Sequence, residues 1–170
     1  MKKILLRAAA LLLALVLAGC GTASPAETVP TEADKTDDNY RVFYEIFVGS
    51  FADSDGDGTG DLNGILRHLD YLNDGNLLSD TSLGVQGLWL TPIFASPSYH
   101  KYDATDYYRI DSDFGTEDDL RALLDACHAR NVKVILDLVI NHTARNHEWF
   151  QSFCQSHADA NPDDPYYDYY

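Results

Sequence analysis

Basic residues are scarce in this sequence. Of 170 residues, 12 are Lys or Arg against 27 Asp or Glu, a formal net charge of −15. A surface of that sign repels nucleic-acid phosphates and anionic lipid heads, which argues against a nucleic-acid partner and suits a neutral substrate and bound cations. Cysteine is sparse as well: beside Cys20 there are only Cys127 and Cys154. These two could pair outside a cell. They read better as two buried thiols, because Cys127 falls on the apolar stripe of an expected helix. No glycine-rich phosphate turn follows the first expected strand, so the nucleotide-binding version of an α/β fold lacks its signature. The apolar run near the N-terminus is too short and too oddly flanked to be a spanning helix of a mature protein.

That run has a different reading. Lys2, Lys3 and Arg7 make a basic start, residues 8–16 an apolar core, and Leu17-Ala18-Gly19-Cys20 follows. Residues 1–19 are expected to be a secretory signal segment. The tetrapeptide resembles a bacterial lipoprotein box, which implies that Cys20 becomes the lipid-bearing first residue; an ordinary cleaved signal peptide with Cys20 incidental is the alternative. The protein would then be secreted and anchored to the cell membrane on its extracellular or periplasmic face. Loss of the three cations leaves 9 basic against 27 acidic residues, or −18. Residues 20–39, rich in Thr, Ala, Pro, Glu and Asp, read as a disordered tether. Composition shifts at Tyr40, where aromatic and branched residues begin, and the domain is expected to cover residues 40–170.

From Tyr40 the pattern is strand, helix, strand, helix, strand. Residues 42–48 mix aromatic and β-branched types as a strand does. Leu62, Ile65, Leu66 and Leu69 recur at helical spacing. Residues 85–90 form a second apolar strand, and a polar, aromatic loop is expected from 93 to 114. Thr116 is an expected N-cap with Asp119 placed to close a capping box. Leu120, Leu123, Leu124 and Cys127 form the buried stripe of the next helix, and Asn131 a left-handed stop. The third strand is expected over residues 132–140, as an apolar run buried on both faces. It delivers Asp137, Asn141 and His142 at its end, where α/β enzymes build their sites. Such alternation argues for a parallel sheet with right-handed crossovers. A flavodoxin-like sheet and an eight-stranded barrel both begin this way. The missing phosphate turn and the long, unusual loops after the strands favour the barrel. A barrel takes about 250 residues, so the chain is expected to be the front part of a larger protein, with three of eight strands.

Three constellations carry chemistry. Asp53, Asp55, Asp57, Thr59 and Asp61 alternate with other residues in one glycine-rich loop. Hard cations want six to eight oxygens at short range, so the loop reads as a Ca2+ site that pins the first strand-to-helix connection. An EF-hand would need Glu at position twelve, where this chain has Gly64; a shorter loop closed by Asp61, with Thr59 giving its carbonyl, fits instead. The bland alternative is a solvated acidic turn. The second is Ser96-Pro97-Ser98-Tyr99-His100-Lys101-Tyr102-Asp103, with Tyr107 and Tyr108 near it. Aromatic faces stack on sugar rings and carboxylates grip hydroxyl pairs; the tyrosines could equally be the core of a packed loop. The third is the end of the third strand, where His142 could be a ligand, a base or a hydroxyl donor, and Asp137 catalytic or structural.

Together these segments resemble one family. Asp137-Leu138-Val139-Ile140-Asn141-His142 resembles the first signature region of the α-amylase family, glycoside hydrolase family 13. The run from Ser96 to Tyr108 is similar to the loop after the second strand of its bacterial amylases and oligosaccharide hydrolases, and the Asp53 to Asp61 loop resembles the calcium loop of many members. The resemblance implies a (β/α)8 TIM barrel acting on α-glucan or maltooligosaccharide substrates with retention. It implies that Tyr102 stacks on the sugar beside the cleaved bond, that His142 bonds to that sugar, that Asp103 holds its outer hydroxyls, and that His100 helps form the wall. Asp137 would orient the arginine preceding the nucleophile, and Asn141 would support the loop or a second calcium. The family places its nucleophile, acid/base and stabilising aspartate after strands four, five and seven. No catalytic residue is therefore expected among these 170, and the chain alone is expected to be inactive. A non-catalytic, surface glycan-binding lipoprotein on the same fold is the alternative; a calcium-dependent adhesion module leaves Tyr102, Asp103 and His142 unexplained.

Overall fold

The computed structural model describes residues 41–170, so the signal segment, Cys20 and the tether lie outside the described residues. Three parallel strands form the main sheet: β1 (Phe43–Ile46), β2 (Gly87–Leu90) and β5 (Lys133–Leu136), in the order β1-β2-β5. Phe43 pairs with Gly87 and Gly87 with Lys133, so the three strands start and end level. Between β1 and β2 come α1 (Val48–Phe51), α2 (Leu62–Arg67) and α3 (Leu69–Leu72); between β2 and β5 come β3 (Phe94–Ala95), β4 (Asp106–Ile110) and α4 (Glu117–Ala129); α5 (Glu148–Ala158) follows. Among the described residues no helix is long and apolar enough to cross a membrane.

Strand periodicity decides which side of the sheet is covered. Tyr44, Ile46, Leu88, Leu90, Val134 and Leu136 share one face and join the core with Leu62, Ile65, Leu69, Leu72, Leu123 and Cys127 from the helices. The opposite face carries Phe43, Trp89 and Ile135, which stay 41, 40 and 46% exposed. Phe43 lies across Gly87, where a Cβ would stand 2.3 Å from the ring.

The helices follow their local chemistry. Asp61 caps α2 by accepting from Gly64 N; of the expected stripe Leu62, Ile65 and Leu69 are buried and Leu66 is half-buried, and the helix breaks at His68 into α2 and α3. The Thr116/Asp119 capping box is present in both directions, and Asp119 also accepts from Asn63 Nδ2 at 2.8 Å, tying α4 to α2. Asn131 has φ 57°, the left-handed stop that its position required.

Several expectations are corrected. The third strand is Lys133–Leu136, not 132–140. Its last rung is Asp137 N donating to Leu90 O at 3.0 Å, after which the chain leaves the sheet and Leu138 and Ile140 are 57 and 86% exposed. Nor is the strand buried on both faces, because Ile135 looks out on the same open side as Phe43 and Trp89. The loop expected over 93–114 contains the antiparallel hairpin β3–β4 with an irregular register. Helix α5 was not expected at all. Cys127 is buried as expected, but Cys154 is exposed, because α5 turns Ser156 inward instead. Both thiols are free.

Candidate functional site

Parallel strands that end level put all their following loops at one end of the sheet. Three such loops carry the candidate residues. The first, after β1, is built from the side chains of its own aspartates. Asp53 Oδ1 accepts from Asp55 N and Gly56 N, and its Oδ2 from Gly58 N; Asp55 accepts from Asp57 N and Asp57 from Thr59 N. Gly56 and Gly58 sit at φ 90° and 95°, which side-chain-bearing residues avoid. Gly60 is required for a different reason, since a Cβ there would stand 2.2 Å from Val48 O.

Asp61 closes the loop and starts the helix at once, its Oδ2 accepting from Ser54 N at 2.8 Å and its Oδ1 from Gly64 N at 2.7 Å. Carboxylate oxygens of Asp53, Asp55 and Asp61 lie within 4.8 Å of one another. Asp57 and Thr59 are in the same loop, but the Asp57 carboxylate is not part of that cluster. The Asp53 carboxyl is held below its usual range by the Gly56 and Gly58 amides. For Asp61 burial acts upward, and the Ser54 and Gly64 amides outweigh it. Both are therefore anionic at neutral pH. Three clustered carboxylates are an oxygen donor set of the kind a hard cation takes.

The second loop joins β3 to β4 and carries His100, Tyr102 and Asp103. The Tyr102 hydroxyl donates to Asp137 Oδ2 at 2.8 Å, spanning from this loop to the residue directly after β5. That bond raises the phenol above its ordinary value. The hydroxyls of Ser96, at 2.8 Å, and of Ser98 both donate to Asp103 Oδ1. They outweigh burial and hold the Asp103 carboxyl low. Tyr102 N donates to His100 Nδ1 at 3.1 Å. Nδ1 is thus an acceptor, and in the neutral ring the proton sits on Nε2, available as a donor. Tyr102 itself is 39% exposed.

Lys101, between them, was not singled out from the sequence. It is 4% exposed, with Nζ 3.0 Å from Asp111 Oδ2 and 3.1 Å from Asp113 Oδ2. Its only sequence signal is the pair of aspartates ten and twelve residues on.

The third loop follows β5. Asn141 and His142 are exposed, with Asn141 Nδ2 3.2 Å from His142 Nδ1. Tyr107 of β4 holds this loop by its backbone, the hydroxyl lying 2.6 Å from Val139 O and 3.1 Å from His142 O. Its ring stacks on Trp149 with centroids 5.9 Å apart. A cavity of about 360 Å³ opens here, lined by Tyr107, Asn141, His142, Thr143, Trp149 and Tyr170 among others. Tyr102, His100 and Asp103 do not line it. Among the described residues no hydrogen bond or ring contact joins His142 to Tyr102 or Asp103. The structure thus joins Tyr102 to Asp137, groups His100 with Tyr102 and Asp103, and sets His142 in one cavity with Tyr107 and with Trp149 and Tyr170, which the sequence pattern does not tie to it.

The family model described as "Alpha amylase, catalytic domain" matches residues 45–170. Alpha-amylase 3 of Dictyoglomus thermophilum is 50% identical over 129 residues, 76% of this chain and 23% of that protein. Trehalose synthase/amylase TreS of Mycolicibacterium smegmatis is 44% identical over 146 residues, 85% of this chain and 22% of its own length. Among solved structures, the alpha-amylase from H. orenii aligns with a TM-score of 0.70 at 55% identity, covering 76% of this chain and 26% of that one. The chain therefore spans about a quarter of the length of the relatives it matches.

Proposed function

This chain belongs to the alpha-amylase family, with the TIM-barrel fold of its neighbours, and from that premise we propose that it forms the first part of a secreted, lipid-anchored, retaining α-glucan hydrolase. The substrates are starch or maltooligosaccharides, cut at α-1,4-glucosidic bonds. The observation that carries this reading is the bond from Tyr102 to Asp137. It brings the loop after the second parallel strand and the end of the third into one rim, with an aromatic face and a carboxylate side by side.

In this reading Tyr102 stacks on a sugar ring, and Asp103 receives sugar hydroxyls on Oδ2, its Oδ1 being taken up by Ser96 and Ser98. His100 donates from Nε2, and His142 contributes from the loop that Tyr107 holds. Asp137 and Asn141 support these groups. Asp53, Asp55 and Asp61 hold a Ca2+ ion, with Asp57 and Thr59 in the same loop; the ion's contribution is to neutralise the clustered carboxylates and fix the loop. Cys20 carries the lipid and residues 20–39 are the tether. Hydrolysis with retention needs two carboxyl groups about 5–5.5 Å apart across the scissile bond. In this reading none of the described carboxylates belongs to that pair, and the 170-residue chain alone is inactive.

Two assays test this. Isothermal calorimetry with maltoheptaose on the 170-residue chain is expected to show binding, lost in Tyr102→Ala. Reducing-sugar release from starch is expected to be absent for these 170 residues; turnover above background overturns the assignment. Binding with no turnover by any longer form that carries this chain would favour the glycan-binding lipoprotein.

A further inference from the structure

We infer that Lys101 is the positioning residue of the candidate carbohydrate loop: its buried ammonium is the fixed point around which the chain turns to present His100, Tyr102 and Asp103. A lysine is rarely buried unless it is paired, and this one is buried beside two carboxylates. Asp111, itself 6% exposed, accepts on Oδ2 from Lys101 Nζ at 3.0 Å and from Ser96 N at 2.9 Å, and on Oδ1 from Asp113 N at 3.1 Å. Asp113, more open, provides the second carboxylate. Lys101 Nζ also reaches Ser96 O at 3.5 Å, and its ammonium lies 5.3 Å from the centroid of the buried Phe114 ring.

The backbone agrees with the side chain. Lys101 has φ 62°, a left-handed conformation that a residue with a Cβ adopts only when its surroundings over-determine it. That conformation reverses the chain between His100 and Tyr102. The side chain at 101 goes inward while those at 100 and 102 stay accessible, their rings 6.0 Å apart. Ser96 is tied to the same Asp111 through its N–H and to Asp103 through its hydroxyl. The eight residues from Ser96 to Asp103 are therefore closed into one unit by a single charge cluster, buried at Lys101 and Asp111 and open at Asp113, whose carboxylates come from the chain just beyond β4.

Burial of the charge is more than the loop needs for stability alone. Replacing a buried ion pair by apolar groups is often neutral, whereas removing one partner leaves the other charge unpaired. What an apolar residue cannot supply is the tie from the left-handed turn to Asp111 and Asp113. Any effect on carbohydrate binding rests on the glucan reading above; the effect on Tyr102 does not.

The test therefore reads Tyr102 directly. The full chain is labelled with tyrosine carrying 13C at Cζ, and the Tyr102 signal is assigned by its loss in Tyr102→Phe. In Lys101→Met the signal is expected to shift and the phenol to titrate closer to an ordinary tyrosine, as its bond to Asp137 is lost. Lys101→Arg, which keeps the charge, is expected to retain much of the parent signal. Leu123→Ala, a destabilising change in the core, is expected to leave it in place. An unmoved Tyr102 signal in folded Lys101→Met overturns the inference, and so does an equal movement in Leu123→Ala. If Lys101→Met does not fold, Asp113→Asn loosens the same anchor from its open side and is expected to give a smaller shift of the same sign; no shift overturns it. In parallel, the affinity for maltoheptaose is expected to fall about tenfold in Lys101→Met. Absence of binding by the parent chain counts against the glucan reading and leaves the Tyr102 result to decide the role of Lys101.

Discussion

Asp61 joins loop and helix through one carboxylate, so replacing it by Ala tests how much the first β-to-α connection depends on that group. The side chain is 8% exposed and accepts two backbone amides at 2.7 and 2.8 Å. Hydrogen bonds to a charged group contribute about 1.5–3 kcal/mol each. The Gly64 bond is also the N-cap of α2, for which loss costs about 1 kcal/mol, so the contributions overlap. Asp61→Ala is expected to destabilise by about 2–4 kcal/mol. With roughly 3–4 °C per kcal/mol for a domain of this size, that lowers Tm by about 6–16 °C. Asp61→Asn keeps the Oδ1 acceptor and loses the charge, for about half the effect.

The pH dependence has a defined sign. The folded-state pKa is depressed, so the contribution is complete above the unfolded value near 3.9 and is lost as pH falls through the folded one; parent and variant should converge in acid. Calcium at about one hundred times its Kd should stabilise the parent by about 2.7 kcal/mol and Asp61→Ala hardly at all. Differential scanning calorimetry with calcium and with chelator measures all of this. A loss in Asp61→Ala below about 0.5 kcal/mol, or an equal calcium increment in both proteins, refutes the reasoning.

Three further outcomes are expected. His147 is 2% exposed and accepts the Trp149 amide on Nδ1, and burial lowers its pKa; the unfolded chain takes the proton first, so stability should decline as pH drops below about 6.5. The part of that decline due to His147 should vanish in His147→Asn, an uncharged N-cap, as read by Tm between about pH 5 and 8. Gly64→Ala places a Cβ 1.9 Å from Ala52 O, a backbone atom, whereas Gly87→Ala meets the partly exposed Phe43 ring at 2.3 Å. The first should cost about 3 kcal/mol or more and the second distinctly less, measured by urea unfolding. Of the two described cysteines, exposed Cys154 should react with a disulfide reagent at pH 8, while Cys127, buried and pushed up to about 11, should stay silent until the protein unfolds.

Features that depend on near neighbours were legible in the sequence. The capping box needs only Thr116 and Asp119, the helix stop only Asn131, and the buried stripe only the spacing of Leu62, Ile65 and Leu69. The aspartate loop could be read too, because its polar contacts are local. What escaped depends on distant partners. Lys101 looks like a surface cation until Asp111 and Asp113 fold back on it. Tyr107 looks like loop decoration until it reaches the carbonyls of residues 139 and 142. The face of helix α5 is likewise set by remote partners, Trp149 stacking on Tyr107 and Tyr166. The apolar run after Val132 looks like a longer strand because periodicity does not say where pairing stops; the last rung at Asp137 does.

The ladder of aspartates after β1 also bears on the order of assembly. Each of its bonds closes over two to seven residues, whereas aligning β1 with β2 joins Val42 to Gln86 across 44. Short closures form in well under a microsecond, and remote strand pairing is far slower. The turn can thus take shape while most of the polypeptide is still a coil, giving the nascent molecule a local seed that a dissolved divalent ion could stiffen before any barrel exists.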